Sequence, residues 1–142
     1  MKWYEINHKR FVLEYIKIKN KYPDFLLHKI NDDLVWDGEV KFFNNMPLKI
    51  RIVLEDSYPV VAPKIFPIDS NIPKEQWGHE WHKWEEGNIC YVNPKDWSQK
   101  YYLVEIIDKV KVWNFNFFCY KNELVPQMPD VGLAFNADEG DI

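Results

Sequence analysis

A chain of 142 residues with 17% aromatic side chains (7 Trp, 8 Tyr, 9 Phe) can bury one full core but is too short for two ordinary domains. Eighteen basic residues against 22 acidic ones give a net charge of -4, and no Lys/Arg stripe stands out, which sets aside nucleic acid and anionic membrane surfaces as partners. Two cysteines, Cys90 and Cys119, make neither a CxxC pair nor a secreted-type framework, so a reducing cytoplasm is the expected compartment. No apolar run approaches membrane-spanning length, and the charged opening MKWYEINHKR is not expected to act as a signal peptide.

Residues 3–22 predict an opening helix. Tyr4, Phe11, Tyr15, Ile18 and Tyr22 recur at helical spacing, Val12 and Ile16 widen the stripe, and Pro23 ends it. An antiparallel meander of about four strands follows. LVWDGEVKFF alternates Leu34, Trp36, Gly38 and Val40 against polar neighbours, and PLKIRIVLE does the same with Leu48, Ile50, Ile52 and Leu54. SYPVVAP then leads into KIFPID as a further short strand. The connection from Ser70 to about Tyr101 is rich in Trp, His, Gly and Pro, and a loop of that length inside a compact domain usually carries function. From Tyr102, Leu103, Ile106, Ile107, Val110 and Trp113 mark a second amphipathic helix. The fold class is therefore α+β, one domain over 1–132, with a short acidic tail over 133–142 that has little to bury.

EEGNICYVNPKDWS, residues 85–98, holds the central ambiguity. Cys90 reads either as a nucleophile displayed on a loop or as a small apolar residue in a core. Cys119, flanked by aromatics in NFFCYK, reads as core. His79, His82 and Cys90 are three candidate zinc ligands in an irregular pattern, without CxxC or HExxH, so no metal is expected. Trp77, Trp81 and Trp84 cap the core beneath the loop or offer a docking surface, while Trp36 and Trp97 read as core.

Taken in order, IRIVLEDSYPVVAPKI, then GNICYVNPKDWS, then an amphipathic helix resemble the ubiquitin-conjugating (E2) enzymes. Tyr58-Pro59 with Pro63 stands for that family's proline-rich corner, Gly87 to Tyr91 for its cysteine segment, and Trp97-Ser98 for the residues before its crossover helix. The likeness runs from about Trp3 to Pro126. The family's His-Pro-Asn tripeptide is absent, and counting back from Cys90 puts His82, within HEWHKW, at its Asn. The turn from Cys90 to Trp97 is one residue shorter than in common members, and sixteen residues after Pro126 leave no room for the two C-terminal helices of eukaryotic enzymes. These departures resemble compact bacterial E2-like proteins, some of them from antiphage operons of the CBASS type.

The resemblance implies that Cys90 carries a protein's C-terminus as a thioester and passes it to an acceptor amine. The implied partners are a ubiquitin-like protein or a cGAS-like nucleotidyltransferase, with an E1-like activating enzyme where one is needed; no cofactor is implied. His82 would donate to the oxyanion of the transfer step, where preorganised donors matter most. Asn122, in KNELVP, takes the family's gate position. Gly87 and Asn88 would let the backbone turn close to the incoming chain, with Tyr91, Asn93 and Asp96 beside it. Glu85 and Glu86 disfavour a thiolate where they lie close to the sulfur. The missing tripeptide also fits a catalytically inactive E2-variant or RWD-like binding module, against which the cysteine in register speaks.

Overall fold

The computed structural model describes residues 1–43, 45–69 and 72–129. The opening segment forms two helices rather than one: α1 (Trp3–Ile6) and α2 (His8–Lys21). They break at Asn7, which leaves helical geometry at φ -119° and ψ 58° and donates its N–H to Trp3 O at 2.8 Å. The break turns Trp3 into the core, where it packs edge-on against Tyr58 at 4.9 Å between ring centroids.

The expected apolar stripe of α2 does not all face inward. Arg10, Glu14 and Ile18, spaced by four, are the buried positions, whereas Val12, Tyr15 and Ile16 are exposed and Phe11 is half-buried. Polar groups elsewhere in the fold account for this. The main-chain N–H of Leu103 donates to Glu14 Oε1 at 2.9 Å, and the Tyr58 hydroxyl donates to Glu14 Oε2. Arg10 donates to that hydroxyl at 3.1 Å and to the carbonyls of Gln99 and Tyr101. A helix presenting only apolar residues here would leave these groups unpaired, at a cost of about 1–3 kcal/mol each.

Four antiparallel strands follow in sequence order: β1 (Leu26–Ile30), β2 (Asp33–Lys41), β3 (Pro47–Leu54) and β4 (Lys64–Pro67). β1 and β2 are joined by Asn31-Asp32, both left-handed at φ 52° and 68°, the geometry of the tight hairpin turn that follows the strand twist. Register pairs Trp36 with Ile52 and Ile52 with Ile65, so the alternating apolar residues of β2, β3 and β4 share one face. That face is covered by α3 (Leu103–Lys121), whose Leu103, Ile106, Ile107, Val110 and Trp113 are fully buried. Trp36 is core as expected. Trp97 is half-buried beside Tyr58 and donates its indole N–H to Pro59 O at 2.9 Å. The architecture is α+β, a helical N-terminus, a four-strand meander and a long C-terminal helix. The acidic tail over 133–142 lies outside the described residues. Among those described, no helix is long and apolar enough to cross a membrane.

Gly38 faces the buried Phe25 so closely that an added Cβ would lie 2.3 Å from Phe25 Cδ1. Overpacking of this kind costs roughly 1–3 kcal/mol, and G38A should lose that much in urea unfolding. Phe25→Leu in the same chain should return part of the loss, and an unchanged midpoint for G38A would refute the contact.

Burial pushes the Glu14 carboxyl up, against the opposing effects of Tyr58, the Leu103 N–H and Arg10. A carboxyl raised in the fold holds its proton more tightly folded than unfolded. Its contribution to stability is therefore full below the unfolded value of about 4.3 and is lost as pH climbs through the folded value. Wild type should lose stability relative to E14Q as pH rises above about 4.3; a difference constant with pH would show that Glu14 does not titrate this way.

Candidate active site

The segment between β4 and α3 pairs its own main chain in small steps. A 3-10 turn, His79–Trp81, is entered through Gly78 at φ 107° and left through His82 at φ 49° and ψ 47°. Gly78 and Lys83 bond to each other, N–H of Gly78 to Lys83 O at 2.7 Å and N–H of Lys83 to Gly78 O at 3.3 Å. Lys83 also pairs antiparallel with Ile89, which closes a hairpin over Trp84–Gly87. In that hairpin the Gly87 N–H reaches Trp84 O and the Trp84 N–H reaches Asn88 O, each at 2.9 Å. Gly87 lies at φ 98°, a conformation a side chain would strain, so this glycine is required by the turn.

Two bonds fasten the hairpin to the fold. The Ile89 N–H donates to Ile65 O of β4 at 2.8 Å, and the Cys90 N–H donates to His82 O at 2.8 Å. Ile89 and Tyr91 are buried on either side of Cys90, and the Tyr91 hydroxyl donates to Pro63 O. Cys90 is half-buried and opens into a cavity of about 360 Å3, lined also by Trp77, His79, His82, Lys83, Trp84 and Glu85. Trp77 and Trp84 are about half exposed at its rim, whereas Trp81 turns away onto Phe117 and Tyr120 of α3.

His82 is buried, 7% exposed, and held from three directions. Its carbonyl accepts from Cys90 and from the Trp113 indole N–H at 3.2 Å. Its ring Nε2 stands 3.3 Å from Met128 O, and the ring meets His79 edge-on at 5.1 Å. Lys83, buried too, donates Nζ to Pro73 O at 2.9 Å, and desolvation lowers its ammonium below the usual lysine range. Glu85 lines the cavity, while Glu86 is drawn off by Lys64 at 3.2 Å.

The structure thus brings Cys90 and His82 together and disperses the other expected residues. Gly87 and Asn88 form the hairpin end, and the Asn88 Oδ1 is buried without a hydrogen bond. Tyr91 is a core residue tying the loop to the proline corner. Asn93 accepts the Lys95 N–H at 3.2 Å and opens the 3-10 turn Pro94–Asp96, where Asn93 and Asp96 are both exposed. Asn122 ends α3, donates Nδ2 to Phe118 O at 2.9 Å, and lines a different cavity with Asn45, Asp69 and Asn114. Sequence reasoning missed Lys83 and Met128, because nothing in the polar run HEWHKWEE or in the tail of KNELVPQMP sets either apart. Among the described residues, no group of three His, Cys, Asp or Glu side chains could hold a metal ion.

Cys119, on α3, is buried, so the two thiols differ in access. Iodoacetamide should modify Cys90 at least about tenfold faster than Cys119 in the native protein, and both at similar rates in urea. Equal protection of both, or native labelling that persists in C90S, would place the accessible thiol elsewhere. No family model matches the chain, and no curated protein or solved structure matches it, so the chemistry of the site is read from its own geometry.

Proposed function

We propose that the chain is an E2-like conjugating enzyme with the UBC fold, carrying a protein C-terminus as a thioester on Cys90 and passing it to an acceptor amine. The observation that carries this reading is the half-buried Cys90 thiol opening into a 360 Å3 cavity shared with His82. It is strengthened by placement: the cysteine follows a helix and a four-strand meander and precedes the long helix laid across the sheet. Loading is nearly balanced in energy. The Cys90 thiolate attacks the carbonyl carbon of an incoming thioester, a new C–S bond forms, and the donor's sulfur leaves with its electron pair.

The partner is a protein with a free C-terminal tail, either a ubiquitin-like modifier or, in a CBASS-type antiphage setting, a cGAS-like nucleotidyltransferase, with an E1-like enzyme supplying activation. Two half-exposed indoles lining the cavity, Trp77 and Trp84, offer such a tail apolar surface. A second reading, an inactive E2-variant or RWD-like module, draws on one observation. The Cys90 N–H is committed to His82 O and is not available to an oxyanion.

Incubation with a short peptide α-thioester ending in glycine should add the acyl group to Cys90, seen as an intact-mass shift that dithiothreitol reverses. C90S should give either a dithiothreitol-stable ester or nothing. The same thiol-labile adduct on C90S would remove the enzymatic reading and leave the binding module.

A further inference from the structure

We propose that His82 is the proton acceptor of the transfer step and that the main chain of Met128 selects the ring tautomer this requires. The inference rests on the thioester reading of Cys90. A carbonyl oxygen can only accept a hydrogen bond, so the ring nitrogen facing Met128 O at 3.3 Å, Nε2, carries the proton. In the neutral ring that leaves Nδ1 bare, with a lone pair to accept a proton and none to give. The residue expected to donate to an oxyanion thus has an accepting ring nitrogen, and it lines the same cavity as Cys90.

Three features fix the ring. Met128 is 4% exposed, so the segment after α3 packs back against the core, and its carbonyl is anchored where it meets His82. The His82 carbonyl is bonded to Cys90 and to Trp113, which ties the base to the same main chain as the nucleophile. His82 also holds a left-handed backbone at φ 49°, uncommon for a residue with a Cβ, and non-glycine outliers of this kind cluster at functional sites. The ring meets His79 from the 3-10 turn, and Lys83 and Glu85 from the hairpin and Cys90 are the other titratable groups lining the cavity; α3 brings the Trp113 indole N–H to the His82 carbonyl.

The step balances. The neutral acceptor amine attacks the thioester carbonyl carbon, and a C–N bond forms. Its N–H proton passes to His82 Nδ1. The tetrahedral intermediate collapses, the C–S bond breaks, and Cys90 Sγ leaves as a thiolate with the electron pair. The imidazolium returns its proton to the thiolate or to water. In this step the acceptor amine is the nucleophile, Cys90 Sγ the leaving group and His82 the base, with Met128 as a positioning residue through its carbonyl.

The test uses the full chain loaded on Cys90 with the peptide α-thioester and discharged by free lysine, followed by intact mass. Asparagine tolerates the left-handed backbone, so H82N removes the base while keeping the turn. The loaded fraction of H82N should discharge about 10²-fold more slowly than loaded wild type. Loading followed by discharge at the wild-type rate would overturn the base while leaving the thioester function intact; absence of loading in wild type would remove both. Long-range 1H–15N correlation spectra of the wild-type ring give a second reading that needs no variant. They should show a proton on Nε2, and a ring protonated on Nδ1 alone would overturn the assignment.

Discussion

The main-chain carbonyl of His82 receives two donors, the Cys90 N–H from the hairpin and the Trp113 indole from α3, and the site hangs on that oxygen. The segment between β4 and α3 has few sheet partners, so its polar main-chain groups must find acceptors among themselves or in the core. One oxygen that joins a loop strand to a helix fixes the height of Cys90 above the core. It also fixes the entry of His82 into the cavity, because both hang from the same peptide. Neither bond is strong alone, at about 1 kcal/mol net. Their effect is geometric, since each denies the loop an alternative register.

A second joint lies on the far side of the same loop. Glu14 accepts the N–H of Leu103, the first residue of α3, and Arg10 takes the carbonyls of Gln99 and Tyr101 just before it. The helix therefore starts where α2 tells it to. Tyr58 completes the joint from the proline corner, and that corner in turn receives the Tyr91 hydroxyl on Pro63 O and the Trp97 indole on Pro59 O. Corner, cysteine segment and helix start, which the sequence presents as three separate motifs, are one hydrogen-bonded unit. Removing one member of such a buried network costs more than the bond itself, because the remaining polar atoms stay buried without partners.

Much of this was legible in the sequence wherever burial is periodic. β2 and β3 alternate cleanly because only one of their faces is covered by α3, and α3 reads as a helix because Leu103, Ile106, Ile107, Val110 and Trp113 sit on one stripe. The same logic failed on α2. Its buried positions include Arg10 and Glu14, whose partners outside the helix lie 44 to 91 residues away in sequence, and periodicity of apolar residues is blind to them. Strand β1 was equally hard to place, because its residues are half-buried or exposed and its turn uses Asn-Asp where glycine is the commoner signal. In the candidate site, Cys90 and His82 stood out by motif and spacing, and they line one cavity. Asn122, Asn93 and Asp96 were drawn toward them by linear order, but each spends its side chain or its position on a local cap or turn.

The difference between the two thiols follows from the elements that hold them. On the paired segment at residues 89–91, side chains alternate, and Ile89 and Tyr91 are both claimed by the core. Cys90 must then face the other way, into the cavity between the hairpin and the 3-10 turn. Cys119 lies on a helix, off the stripe of Val110, Trp113 and Phe117 but on the face of the buried Asn116, three residues before it. A residue type cannot distinguish these fates, since a thiol suits a core as well as a surface. What separates them is that an isoleucine and a tyrosine, each fixed to β4 or to the loop before it by one hydrogen bond, leave the sulfur between them no other direction. The partial exposure of Cys90 is thus a property of its neighbours, and a substitution that loosens Ile89 or Tyr91 acts on the thiol without touching it.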